Sequence, residues 1–350
     1  MKEKPTPPYK VLIVDDSAVV RKTLREIYSS DPELEVAGTA PDALIALRML
    51  GEKKIDVISL DVQMPRMDGL TFLERLMKSN PMPVVMVSAL TTQGSKEALR
   101  SIELGAVDIV EKPKLGVKEA LEDLSIQICD KIKAAAISKL KTPHQRFLTP
   151  AKKFTIDDVL PQKITASRSG AESLIAIGAS TGGTIALNNV LSPLPADMPG
   201  IVVVQHMPKA FTESFANNLN SDSMLNVFEA KEGDKVERGK VLIAPGDQHM
   251  MLKLVGNDYV VSLNSGELVN RHRPSVDVLF RSVSNLGGKN SVGVILTGMG
   301  DDGAKGLVDM HNTGSLTIAQ NEESCVVYGM PRKAVESGAV DEILNLEGIV

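Results

Sequence analysis

The chain has little cysteine, no long apolar run and no excess of positive charge, and each lack removes a class of function. Its two cysteines in 350 residues, Cys129 and Cys325, fall in different predicted domains. Neither has a Cys or His at the close spacing of a zinc site, so both are expected as buried free thiols in a reducing compartment. No stretch approaches the roughly 20 consecutive apolar residues of a membrane span. The amino terminus, K-E-K-P-T-P-P-Y, also lacks the apolar core of a signal peptide. The protein is therefore expected in the cytoplasm, without direct insertion into a membrane. A net charge of −5 gives no general pull toward nucleic acid or anionic lipid, and no basic patch stands out, so nucleic acid is not an expected partner. What is present suffices for real cores: 43 % of residues are hydrophobic, over a length that suggests two domains.

From Lys10, short apolar runs alternate with amphipathic stretches. Strands are expected at Val11–Val14, Glu35–Ala37, Ile55–Leu60, Val84–Val87 and Val107–Val110. Helices are expected after the first strand, where Val20, Leu24 and Ile27 recur at helical spacing, then around Ala43–Leu50, Leu70–Lys78 and Lys96–Leu104, with a last one from near Val117 through Ile132. Strands apolar throughout and separated by helices imply a parallel sheet covered on both faces. This predicts a five-stranded (βα)5 domain over residues 9–130. A polar, proline-bearing stretch then has linker composition, and the expected linker is 131–168. Residues 169–350 predict a second α/β domain, doubly wound and mostly parallel, with strands at Leu174–Ile177, Ile201–Val204, Val241–Ala244, Val292–Leu296 and Ser315–Ala319. Met250–Val255 and Tyr259–Leu263, joined across Gly256 and Asn257, predict an antiparallel hairpin.

Two chemical sites stand at expected strand ends. Asp15 and Asp16 follow the first strand and Asp61 the third, so a parallel fold gathers three carboxylates at one sheet edge, where ligands of such sheets bind. Their repulsion calls for a raised pKa or a cation, and a hard ion such as Mg²⁺ suits oxygen ligands. Ser88 and Lys112, ending the fourth and fifth strands, are placed to hold the oxygens of a phosphoryl group on Asp61. D-D-S at Asp15–Ser17, D-V-Q-M-P-R-M-D-G at Asp61–Gly69, Ser88 with Ala89, and Lys112-Pro113 resemble the response-regulator receiver domain. That resemblance implies Asp61 as phosphoacceptor, Mg²⁺ on Asp15, Asp16 and Asp61, and a histidine kinase as phosphodonor. Receivers usually carry an aromatic switch residue where this chain has Ile109.

The second site begins at Ser180 in G-A-S-T-G-G, a strand-to-helix turn of the kind that exposes a nucleophilic hydroxyl. The same glycines would also suit a phosphate loop, although this loop has neither G-x-G-x-x-G spacing nor a P-loop lysine. His206 ends the next strand, within reach of the serine proton if the two strands are adjacent. The acid that orients such a ring is Asp301 or Asp302 in G-M-G-D-D-G; residue type alone does not choose. G-A-S-T-G-G, Q-H-M-P, A-P-G-D-Q-H-M, R-H-R-P-S-V-D and L-T-G-M-G-D-D-G-A together resemble the catalytic domain of the chemotaxis protein-glutamate methylesterases. The resemblance implies Ser180 as nucleophile, His206 as base and Asp302 as acid, with the Met299 amide and Thr181 supporting the oxyanion and no cofactor in this domain. It also implies ester hydrolysis and glutamine deamidation on the cytoplasmic helices of methylated chemoreceptors, under control of the receiver. Arg271, His272 and Arg273 are then a candidate rim toward a Glu-rich substrate. Two other functions fit the residues: a receiver joined to a nucleotide-binding module, and a non-enzymatic receptor adaptor.

Overall fold

A computed structural model describes residues 5–88, 92–113, 118–138, 173–286 and 288–350. The chain divides into two units, Met1–Phe147 and Leu148–Val350. In the first, β1 (Tyr9–Val14), β2 (Leu34–Ala40), β3 (Val57–Asp61), β4 (Val84–Ser88) and β5 (Asp108–Glu111) alternate with α1 (Ala18–Ser29), α2 (Ala43–Glu52), α3 (Gly69–Ser79), α4 (Thr92–Glu103) and α5 (Lys118–Ile137). The sheet order is β2-β1-β3-β4-β5, with every pairing parallel. Val11–Val14 and Val84–Val87 are wholly buried, as strands covered on both faces require. Short polar residues start the helices. Ser17 accepts from the Val20 amide, Asp42 from those of Leu44 and Ile45, and Asp68 from that of Thr71, each occupying amides that the first turn leaves unpaired.

α5 continues to Ile137, with Ile132, Ala134 and Ala135 fully buried. This is the last helix expected from near Val117 through Ile132, and residues 131–137 of the expected linker range belong to it. Residues 139–168 of the expected linker, and Ala89, lie outside the described residues.

The second unit contains β6 (Leu174–Ala179), α6 (Gly183–Leu191), β7 (Gly200–Gln205), α7 (Lys209–Asp222), β8 (Asn226–Glu229), β9 (Lys240–Ile243), β10 (His249–Val255), β11 (Asp258–Asn264) and α8 (Val276–Ser284). β12 (Ser291–Ile295), α9 (Ala304–Asn312), β13 (Leu316–Gln320), α10 (Met330–Glu336), β14 (Glu342–Leu344) and α11 (Leu346–Ile349) complete it. Seven strands form one parallel sheet, β14-β13-β12-β6-β7-β9-β8. The β10-β11 hairpin stands apart from it as a two-stranded antiparallel sheet. From β6 the chain moves to one side through β7, then returns to place β12 on the other side of β6. The core between sheet and helices is built by Val202, Val204, Leu242, Phe280, Leu307 and Met310, all fully buried.

Candidate active site and acidic cluster

In the first unit the strand order reverses between β1 and β3, the place where an open parallel sheet leaves a crevice beyond its carboxyl ends. Asp15 and Asp16 follow β1, Asp61 ends β3, and one oxygen of each lies within 4.8 Å of the others. Asp15 and Asp61 are buried and Asp16 is exposed. Lys112 is set one residue past β5 by its own amide, which donates to the Ser88 carbonyl at 2.9 Å. Its Nζ lies 2.8 Å from Asp15 Oδ2 and 2.7 Å from Asp61 Oδ2.

Burial, and the Asp15 charge with it, push Asp61 up to about 6 against the lowering pull of Lys112. Burial disfavours the Lys112 charge, yet its bonds to Asp15 and Asp61 outweigh that and raise its pKa. Asp16, Asp61, Ser88 and Lys112 line a cavity of about 1020 Å³, ample for a phosphoryl group and a hydrated cation. The all-oxygen donor set fits one hard divalent ion. Ile109 is a buried aliphatic side chain of β5, and its carbonyl accepts from Lys131 Nζ at 3.0 Å.

In the second unit the reversal falls between β6 and β12. Ser180 leaves the end of β6, and its amide donates to the Thr297 carbonyl beyond β12 at 3.0 Å. His206 leaves β7 on the other side, its amide donating to the Ala179 carbonyl at 3.1 Å. The serine and the histidine therefore emerge side by side from adjacent strand ends. Gly298, after β12, packs so closely that an added Cβ would sit 2.7 Å from Ser180 Cβ and 2.3 Å from Met330 Sδ. Thr181 is buried and its carbonyl accepts from Thr297 Oγ1 at 3.0 Å, while Met299 lies half-buried in the loop beyond Gly298.

Geometry distinguishes the two aspartates that residue type left open. Asp301 is exposed, whereas Asp302 is buried. The left-handed Gly303, φ 93°, starts α9 directly behind it, a conformation that costs a side chain more than it costs glycine. Asp302 Oδ2 lies 2.8 Å from His206 Nε2 and accepts from the Val276 amide at 2.7 Å. Its Oδ1 accepts from Ser275 Oγ at 2.7 Å, Asn270 Nδ2 at 3.0 Å and the Asp277 amide at 3.3 Å. Burial opposes ionisation, but the hydrogen bond and charge of His206, the charge of His272 and the Asn270 amide hold its carboxyl well below the usual carboxylate range. Among the described residues His206 Nδ1 has no hydrogen-bond partner, and the ring stacks on that of His272 with centroids 3.7 Å apart. Gly298–Gly303 does have G-x-G-x-x-G spacing between a strand and a helix, but the Asp302 carboxylate beside that helix start repels a phosphate.

The family model described as CheB methylesterase matches residues 175–350, and that of the response regulator receiver domain matches 11–122. The chain belongs to the CheB methylesterase family. A protein-glutamate methylesterase/protein-glutamine glutaminase 2 of Oleidesulfovibrio alaskensis is 53 % identical over 342 residues, 96 % of this chain and 95 % of the relative. One of Rhodospirillum rubrum is 52 % identical over 346 residues, 97 % of this chain and 95 % of the relative. The crystal structure of the Thermotoga maritima CheB methylesterase catalytic domain is 40 % identical, with a TM-score of 0.50, and covers 51 % of this chain and 95 % of that one.

Three features of this CheB-family site escape sequence reading. Asn270, Ser275 and the start of α8 hold Asp302 but come from a loop that no strand-end pattern marks. Ser275 had a signal: Pro-Ser-x-Asp is a helix-start pattern, and Ser275 Oγ caps α8. Arg273, expected on a substrate rim, is bound to Asp247 and to the carbonyls of Ser265 and Gly266. Cys129 and Cys325 are both buried thiols, and no described helix is long and apolar enough to cross a membrane.

Proposed function

We propose that this chain hydrolyses γ-glutamyl methyl esters on chemoreceptors through Ser180, His206 and Asp302, and that phosphorylation of Asp61 raises this activity. The observation that carries the reading is the 2.8 Å contact between His206 Nε2 and Asp302 Oδ2, with Nδ1 left without a partner among the described residues. An ionised carboxylate only accepts, so Nε2 holds the proton of the neutral ring and Nδ1 presents its lone pair. Nδ1 is then the base for Ser180 Oγ. As Oγ bonds to the ester carbon its proton passes to Nδ1, and Asp302 stabilises the imidazolium. The Met299 amide and Thr181 support the oxyanion. Collapse breaks the carbon–methoxy bond, and the proton on Nδ1 passes to the departing methoxide, which leaves as methanol. Water, deprotonated by the same nitrogen, then releases glutamate and returns Ser180. Glutamine deamidation follows the same course with ammonia leaving.

At the acidic cluster, Asp15, Asp16 and Asp61 suit Mg²⁺. Bound there, the ion supplies neutralising charge to an incoming phosphoryl group. Asp61 attacks the phosphorus of a phosphohistidine on a chemotaxis histidine kinase, the P–N bond breaks, and Lys112 and Ser88 hold the equatorial oxygens. The added charge draws Lys112 from its Asp15 and Asp61 pairs and shifts the population toward an active form.

Methanol release from methylated chemoreceptor membranes tests both claims, with wild type and S180A each assayed with and without a phosphodonor and Mg²⁺. Release abolished in S180A and raised by the phosphodonor in wild type is expected. Release surviving in S180A would overturn the nucleophile, and receptor binding with no release in any sample would favour an adaptor.

A further inference from the structure

Val269 and His272 exchange both backbone hydrogen bonds, at 3.1 and 2.9 Å, so Asn270 and Arg271 are the central residues of a two-residue turn. Both have positive φ, 50° and 70°, as a type I′ turn requires, though neither is glycine. Asparagine tolerates this region better than most side chains because it can hydrogen-bond locally. Here its side chain reaches much further. Asn270 Nδ2 donates to Asp302 Oδ1 at 3.0 Å and to Asp277 Oδ2 at 2.7 Å, one hydrogen for each carboxylate. The same turn returns His272 to lie on His206, with the rings 12° from parallel.

We infer that Asn270 is a positioning residue for the esterase reaction: its amide bridges two buried carboxylates and so aims Asp302 at His206, while its turn seats His272 on the face of that imidazole. The inference rests on the Ser180–His206–Asp302 reading. Asp302 faces His206, His272 and, at the start of β10, His249, together with Ser275 Oγ and the amides of Val276 and Asp277. Asp277 faces Asn270, the Gly306 amide, Asp302 and Asp301. Burial and the Asp302 charge push Asp277 upward, against the Gly306 amide and Asn270. Without the bridging amide, two buried like charges face each other and the pair takes up a proton at higher pH. That proton sits on Asp277, whose carboxyl O–H then draws the Asp302 carboxylate toward itself and off the line on which it accepts from His206 Nε2.

Asn270→Gly keeps the left-handed turn and deletes only the amide, which makes it the sharpest variant. Methanol release by the full chain, with phosphodonor and Mg²⁺, is measured from pH 5 to 9 for wild type, N270G, N270G/D277N and S180A. The expected result for N270G is a kcat about 10–100-fold lower, a KM within about twofold of wild type, and an acid limb of the kcat profile displaced upward by about one pH unit. Adding D277N removes the facing charge and is expected to return that limb toward its wild-type position. Asn270→Ser, made in parallel in case N270G does not fold, is expected to show the same displacement. An unmoved acid limb in the folded variant overturns the inference, whether kcat falls or not, because a merely structural support changes yield and melting without moving a titration. Activity surviving in S180A overturns the triad and this role together; an inactive S180A beside an unmoved N270G profile overturns the Asn270 role alone.

Discussion

Asp302→Asn changes almost no volume and should still be the most damaging single substitution in the catalytic unit after loss of Ser180. Five donors converge on the two carboxylate oxygens: His206 Nε2 and the Val276 amide on Oδ2, and Ser275 Oγ, Asn270 Nδ2 and the Asp277 amide on Oδ1. An asparagine NH₂ accepts none of them, so it strands the Val276 amide if it takes the Oδ2 side and at least two donors if it takes the Oδ1 side. Each costs about 1–3 kcal/mol, and relief of the repulsion with Asp277 offsets part, leaving roughly 1–3 kcal/mol of destabilisation. If the NH₂ faces His206, the ring must offer Nε2 as acceptor and protonate Nδ1, which leaves Ser180 without a base. A wrong tautomer of this kind costs about 10³–10⁴-fold in kcat, or about 4–5 kcal/mol of transition-state stabilisation. Asp302 is depressed in the fold, so its stabilisation is present above the unfolded carboxylate range and is lost as pH falls through the folded value. The melting difference between wild type and D302N should therefore narrow in acid. Methanol release at pH 7.5 and melting at pH 7.5 and 3 provide the check, with D301N as the exposed neighbour expected within about twofold of wild type. A D302N enzyme retaining more than about a tenth of wild-type kcat would refute the tautomer argument.

Two further perturbations act on other parts of the chain. Because Asp61 is raised to about 6, its contribution to stability is full below the unfolded value near 4 and is lost as pH rises through 6; Asp61→Asn should stabilise the receiver by about 1–3 kcal/mol at pH 7.5 and by nothing at pH 3.5. Melting of the full chain at both pH values, without and with Mg²⁺, tests this, and equal melting of the two proteins at pH 7.5 without the ion would contradict it. Gly298→Ala would place a methyl 2.7 Å from Ser180 Cβ and 2.3 Å from Met330 Sδ, and displacing the nucleophile by that contact should lower kcat about 10–100-fold. A G298A kcat equal to wild type would show that Met330 and the loop absorb the methyl without moving Ser180.

What was legible from sequence had local causes. Val11–Val14 and Leu174–Ala179 are continuous apolar runs ending in a polar turn, so their type and the residues just beyond them, Asp15, Asp16 and Ser180, follow from a few neighbouring positions. The Gly256–Asn257 turn marked the hairpin in the same way. β8 and β14 were not expected: they are edge strands of four and three residues with exposed positions such as Asn226, Phe228, Glu342 and Ile343, and their ladder partners, not their own composition, make them strands. The preference for Asp302 over Asp301 depends on which side chain the turn before Gly303 directs inward. The Asn270 bridge depends on positive φ at two successive non-glycine residues, which no local pattern marks, and nothing in the R-H-R triplet shows that Arg273 is held by Asp247 and two carbonyls.

The placement of the reactive groups on three neighbouring strands has a consequence for biosynthesis. Ser180 and His206 come from β6 and β7, which pair soon after both are made, but Asp302 follows β12, and its partner His206 lies 96 residues earlier in the chain. Contacts so distant in sequence close late, because the entropy of the intervening loop must be overcome before the pairing stabilises anything. If the proposed triad holds, a nascent chain has Ser180 and His206 in place well before Asp302 joins them. Recovery of esterase activity on refolding should then lag recovery of helix and sheet signal, because the proposed site is incomplete until β12 has joined the sheet.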